Sequence, residues 1–202
     1  MQGEPVWREL RDRVHQTFDE KCVYCEDIVA RDVEHYYPKS RYPERMFRWD
    51  NLLLACKNCN TDKGQRFPLL DGQPLLIDPC AEDPALFLQW DLSTGRPIVS
   101  AEPLREAKAR ATVAALPQLR HQALADQRRD LARKVQFLLL QVVEDNPTPP
   151  DACAWLEEVL QPTRPWRSVV RQIVRDPAYQ RLIQRVREQA PQLIPQLDAL
   201  GA

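Results

Sequence analysis

Apolar positions fall into three regimes along the chain. Near the start, Trp7, Leu10, Val14 and Phe18 recur at steps of three and four, which places them on one face of a helix. Between residues 21 and 68 the pattern changes to two short apolar or β-branched pieces, 28–35 and 51–56. These predict two short strands separated by a Pro- and Arg-rich loop. Residues 69–100, punctuated by Pro74, Pro79, Pro84 and Pro97 after Pro68, predict an ordered but irregular connector. Beyond Pro103 the helical period returns: Leu131, Val135, Leu138 and Val142 form one stripe, and Tyr179, Leu182, Ile183 and Val186 another. The run Asn-Pro-Thr-Pro-Pro at 146–150 separates the two helical blocks.

Composition narrows the class. In 202 residues, 44% are hydrophobic and 28% charged, and no apolar run reaches membrane-spanning length. The chain is expected to fold as a soluble protein rather than to span a bilayer or stay disordered. Eighteen prolines against five glycines suit helices stopped by prolines. The polar, mixed-charge start lacks the greasy segment of a secretory signal, so the cytoplasm is the expected compartment. Charge is balanced at a net of -1, which argues against a general polycation. Locally, 164–187 carries seven arginines and one aspartate, a basic stretch that could be a solvated helix face, a DNA contact or a surface for an acidic partner.

Six cysteines include two pairs at C-x2-C spacing, Cys22/Cys25 and Cys56/Cys59. Two such pairs can complete a closed tetrahedron around Zn²⁺ with no place for water, the signature of a structural ion. Disulfides are disfavoured without an export signal, and an iron-sulfur cluster would use the same thiolates. Cys80 and Cys153 have no paired neighbour and are expected to be core or incidental thiols.

The thirty residues between the pairs carry Val33-Glu34-His35-Tyr36-Tyr37-Pro38-Lys39-Ser40, then Trp49-Asp50-Asn51-Leu52-Leu53-Leu54-Ala55. The second pair leads into Cys59-Asn60-Thr61-Asp62-Lys63-Gly64. In this order the segment from Cys22 to about Pro68 resembles zinc-stapled HNH endonucleases: two knuckles around an acid-His, an Asn-Leu strand and a terminal His or Asn before a Lys. The resemblance covers about a quarter of the chain. It implies a ββα-metal core with a structural zinc, and hence an α+β, mainly α, fold. Three parts are expected: 1–70 as the nuclease core with its N-terminal helix, 71–102 as the connector, and 103–202 as a helical region for partner docking or DNA contact.

The chemistry suits that resemblance. Glu34 and the amide of Asn60 offer hard oxygen ligands for a catalytic Mg²⁺ or Mn²⁺, leaving positions for water and phosphate. His35 would be the general base, because neutral imidazole is abundant near neutral pH. Neighbours in a strand point to opposite faces, so a bulge or loop must bring Glu34 and His35 to one site. By the resemblance, Asn51 bonds across the loop and holds the His35 backbone. Lys63, one helical step from Asn60, could grip a phosphate, while Lys39, Arg41, Arg45 and Arg48 could track DNA or merely solvate the loop. Tyr36, Tyr37 and Trp49 are expected to pack, and His15 and His121 to sit on helix surfaces.

The wider pattern, ending in Leu-Leu-Ile-Asp-Pro-Cys at 75–80, resembles HNH proteins of bacterial anti-phage defence, the Septu (PtuB-like) and retron-associated branch. That resemblance implies DNA as substrate and an ABC-type ATPase as partner, docked on the helices after residue 103. The competing reading is a non-catalytic zinc module that binds nucleic acid or scaffolds a complex.

Overall fold

The computed structural model describes residues 4–144 and 149–201. The first stripe becomes α1 (Glu4–Thr17), with Val14 fully buried. Strands β1 (Asp32–His35) and β2 (Leu52–Ala55) pair antiparallel, Asp32 opposite Ala55 through to His35 opposite Leu52. Every residue of β2 is buried, which explains its unbroken apolar sequence: α1 packs against this strand as well as β1. Helix α2 (Lys57–Lys63) follows at once, with Cys56 as its N-cap and the Cys59 N–H donating to Cys56 Sγ. Gly64 stops it at φ +45°, its N–H returning to the Asn60 carbonyl at 2.9 Å. The hairpin-plus-helix order matches the expected ββα core. The loop joining β1 and β2 is braced by edge-to-face contacts among Tyr36, Tyr37, Tyr42 and Phe67.

The connector is more regular than its prolines suggest. Strands β3 (Leu69–Leu70) and β4 (Gln73–Pro74) form an antiparallel hairpin, and β5 (Leu88–Trp90) with β6 (Pro97–Val99) makes a second two-stranded sheet. The first turn is Asp71-Gly72, both at positive φ, the geometry a two-residue hairpin favours.

Contacts divide the chain into two units, one taking residues up to 89 together with 97–121, the other 90–96 with 122 onward. This differs from the boundaries expected at 70 and 102. The reason is α3 (Pro103–Ala115), which joins the first unit. Its Ala109 packs with Ile77 and Phe87, its Ala115 with Tyr36, Leu53, Phe67 and Leu76, and its Thr112 Oγ1 accepts the Ile77 N–H at 2.9 Å.

The second unit is built from α4 (Gln122–Glu144), α5 (Pro150–Val159), α6 (Arg167–Arg175), α7 (Gln180–Gln189) and α8 (Ile194–Gly201). Helix α4 packs against α5, α6 and α7, and α6 against α8. Val135, Leu138 and Val142 of the first stripe and Ile183 and Val186 of the second are buried. Of the expected break at 146–150, residues 145–148 lie outside the described residues. The basic stretch is largely spent on the unit itself. Arg167 donates to the Leu160 carbonyl at 3.2 Å, Arg175 to Leu200 at 2.9 Å and Arg185 to Val143 at 3.1 Å, so guanidinium groups meet carbonyls left unpaired at helix ends. Arg187 pairs with Asp198, and Arg164 with Glu158. Among the described residues no helix is long and apolar enough to cross a membrane.

Candidate active site

Four buried thiols define one end of the hairpin. The Sγ atoms of Cys22, Cys25, Cys56 and Cys59 all lie within 4.8 Å of one another, and none forms a disulfide. Cys25 and Cys56 stand 3.8 Å apart. A tetrahedron with Zn–S bonds of about 2.3 Å has an edge of about 3.75 Å, whereas a disulfide needs about 2.05 Å. The set therefore fits zinc. The first knuckle is closed by the Cys22 N–H on the Asp27 carbonyl and the Glu26 N–H on the Cys22 carbonyl, with Glu26 at φ +60°. It is fastened to β2 by the Val23 N–H on the Leu54 carbonyl at 3.0 Å. The second knuckle is the N-terminus of α2. Cys56 there is held below the usual thiol range, first by the Cys22 thiol and then by Cys25. Cys80 is exposed and Cys153 half-buried, outside this set.

His35 ends β1 and is half-buried. Its Nε2 lies 2.9 Å from the Met46 carbonyl oxygen. A carbonyl only accepts, so Nε2 carries the proton and Nδ1 keeps the lone pair. Burial pushes the pKa of the ring below its ordinary value, the Met46 carbonyl opposes this, and the charge of Lys39 adds to the lowering. The imidazole is accordingly neutral near pH 7, with its basic nitrogen fixed.

Glu34 does not behave as an open metal ligand. The β1–β2 ladder runs residue for residue without a bulge, so Glu34 and His35 stay on opposite faces. Glu34 is 3% exposed, with Oε1 accepting from Lys63 Nζ at 2.5 Å and Oε2 from the Tyr24 hydroxyl at 2.7 Å. Both oxygens are engaged, and a divalent cation would have to displace an ammonium already in contact. The carboxylate does not fit the role expected of it. Among the described residues, the four cysteines are the sole cluster of three or more His, Cys, Asp or Glu groups able to hold an ion.

Lys63 likewise departs from expectation. It is 0% exposed, and besides Glu34 its Nζ donates to the His35 backbone carbonyl at 2.8 Å. It cannot grip a phosphate from there. Asn60 donates from Nδ2 to Asp32 Oδ2 at 2.9 Å. Asp32 and Glu34, two apart on β1, thus face α2 together, and the pairings of α2 are Asn60 with Asp32 and Lys63 with Glu34.

Asn51 is 1% exposed and spans the loop. Its Oδ1 accepts the Tyr37 N–H at 2.6 Å, and its Nδ2 donates to the carbonyls of Tyr37 at 3.1 Å and Arg45 at 3.0 Å. The backbone two residues beyond His35 is held on both of its polar groups. Lys39 and Arg41 are exposed, Arg41 donating to the Phe67 carbonyl at 3.2 Å. Arg45 stacks over the Tyr37 ring at 4.0 Å, and Arg48 makes two bonds to Asp50. Tyr36 packs in the core as expected, while Trp49 is 49% exposed and Phe47 71%. His15 lies 2.6 Å from Glu20, and His121 is exposed.

Tyr24 and Asp32 stand outside the residues expected at the site. Tyr24 sits between the first two cysteines, and its hydroxyl is pushed well above the usual phenol range by burial and then by Glu34. The C-x-Tyr-C spacing was the available signal.

Residues 22–66 match the model of the HNH endonuclease family. The chain is also similar to a Septu protein PtuB of Bacillus thuringiensis, 38% identical over 69 residues, which is 31% of this chain and 27% of the relative. It is similar to the protein ea31 of Escherichia phage lambda, 35% identical over 74 residues, 35% of this chain and 25% of that one. The matches therefore span about a quarter of the length of these relatives. The family match brackets both knuckles, the hairpin and α2, and residues 22–66 are an HNH endonuclease domain.

Proposed function

We propose that this chain hydrolyses phosphodiester bonds in DNA, with His35 as the general base and the zinc-stapled hairpin as its mount. The observation that carries the proposal is the Nε2–H bond to the Met46 carbonyl. It leaves Nδ1 as an acceptor with no protein donor among the described residues, on a ring whose burial keeps it neutral. The HNH family match over residues 22–66 favours a base over a packing histidine at this position. Proton removal from an attacking water is the task such a nitrogen performs. Asn51 fixes the loop under the ring, and Lys39 supplies positive potential at it. HNH domains work with divalent cations. Of the two expected ligands, Asn60 keeps an amide oxygen that no protein donor engages among the described residues, while Glu34 is withdrawn as a ligand. The proposal rests on His35 and the family match rather than on a preformed ion site.

The similarity to a Septu protein supports a place in anti-phage defence, and with it an ATPase partner for the helical unit. Copurification from the native host tests the partner. For the activity, supercoiled plasmid is incubated with the purified chain and Mg²⁺, Mn²⁺ or no added cation. Relaxation by wild type and not by His35→Ala is the expected result; equal relaxation by both would remove the assigned base.

A further inference from the structure

Resting on the nuclease reading, we infer that Tyr24, Glu34 and Lys63 form a positioning relay that ties the zinc knuckles to the backbone of His35, with Glu34 serving the relay instead of the hydrolytic cation. Each link is a hydrogen bond: Tyr24 hydroxyl to Glu34 Oε2 at 2.7 Å, Lys63 Nζ to Glu34 Oε1 at 2.5 Å, and Lys63 Nζ to the His35 carbonyl at 2.8 Å.

Both ends of the relay belong to the metal staple. Tyr24 stands between Cys22 and Cys25, and Lys63 is the last residue of the helix that Cys56 caps and Cys59 enters. The thiolates thus fix both donors that meet on one carboxylate. A charged pair at 0% and 3% exposure gives up hydration on both sides, and apolar residues of equal volume would stabilise the fold about as well. What an apolar pair could not supply is direction. The ammonium carries a donor to spare for the His35 carbonyl, and the Tyr24 hydroxyl holds the carboxylate that holds the ammonium. With the Met46 carbonyl setting the ring and Lys63 setting the backbone, His35 is restrained at both ends of its side chain. Neither a phosphate grip by Lys63 nor an open ligand at Glu34 is compatible with this burial.

The test uses the zinc-loaded full chain as wild type, Tyr24→Phe and Glu34→Gln. Tyr24→Phe removes one bond and keeps the ring in the core, so it folds even if the second variant does not. Three quantities are read: the His35 tautomer from imidazole ¹⁵N shifts without DNA, the affinity for Mn²⁺ alone, and kcat and KM for duplex cleavage. Expected for Tyr24→Phe are loss of the single Nε2–H tautomer, a fall in kcat of about tenfold with little change in KM, and Mn²⁺ affinity within about twofold of wild type. Weakening of Mn²⁺ binding by about tenfold or more in folded Glu34→Gln, with the tautomer unchanged, would overturn the inference and make Glu34 a ligand. An unchanged tautomer together with unchanged kcat in both variants would also overturn it. The tautomer reports on the relay in an inactive chain too, so a wild type that cleaves nothing sinks the nuclease reading, while a tautomer lost in Tyr24→Phe still shows the relay itself.

Discussion

Asn51 and Tyr37 exchange two hydrogen bonds, the Tyr37 N–H to Asn51 Oδ1 at 2.6 Å and Asn51 Nδ2 to the Tyr37 carbonyl at 3.1 Å. A third bond, from Nδ2 to the Arg45 carbonyl, ties the same amide to the far side of the loop. Replacing Asn51 by Ala strands three part-buried backbone groups, at a cost of about 2 to 3 kcal/mol. Asn51→Asp keeps the acceptor for Tyr37 but sets a carboxylate against two carbonyls. Both variants are expected to melt earlier than wild type and to cleave DNA at least about 100-fold more slowly, because the loop that carries Met46 no longer aligns the His35 ring. Thermal melting and single-turnover cleavage check this together.

The pH dependence follows from His35. Its pKa lies below 6.5, and a general base acts in its neutral form. The rate should rise with pH through that lowered value and be level by about pH 7. Folding disfavours the protonated ring, so the associated stability is present above the unfolded pKa and is lost as pH falls through the folded one. A pH–rate profile whose acid limb lies above 6.5 would contradict the placement of this ring.

Zinc should be present at about one ion per chain. Removing it with a chelator, or replacing Cys22 or Cys59 by Ser, is expected to unfold the hairpin and α2, since both knuckles close on these thiols. Metal analysis and amide exchange at Leu52–Ala55 of β2 measure the loss. Retained protection there after zinc removal would show that the fold stands without the ion.

In the second unit, Gly95 stands at φ +70°, and a Cβ there would fall 1.8 Å from the Ala125 carbonyl oxygen. That oxygen is backbone of α4 and cannot swing away. Gly95→Ala should cost about 3 kcal/mol or more through overlap and backbone strain together. Equilibrium unfolding in urea reads it.

The arginines of 164–187 should matter for stability rather than for DNA. Arg175→Ala removes the bond to the Leu200 carbonyl, worth about 1.5 to 3 kcal/mol for a charged donor. The salt dependence of DNA binding should stay unchanged; a slope reduced by about one would instead place this guanidinium on a phosphate.

What was legible in the sequence was local. The two C-x2-C spacings gave the staple, the β-branched and apolar residues of 28–35 and the apolar run in 51–56 gave the hairpin, although β1 begins only at Asp32, and the helical steps in α4 and α7 gave their buried faces. The hairpin at Asp71-Gly72 was not expected, because the surrounding prolines predicted an irregular connector. The fate of Glu34 was not legible. It depends on an unbroken register that turns Asp32 and Glu34 toward α2, and on α2 docking close enough for Lys63 to reach them. Likewise, a run of arginines reads as a basic face until the carbonyls of Leu160, Leu200 and Val143 are placed beside it by helix packing.

Nδ1 of His35 carries the proposed chemistry, and its most direct test is single-turnover cleavage of end-labelled duplex DNA by wild type and His35→Ala, matched for zinc content and melting temperature. A rate lower by about 100-fold or more in a variant that stays folded and zinc-loaded is the result expected of a general base. Equal rates in the two proteins would show that the bond is broken without this imidazole.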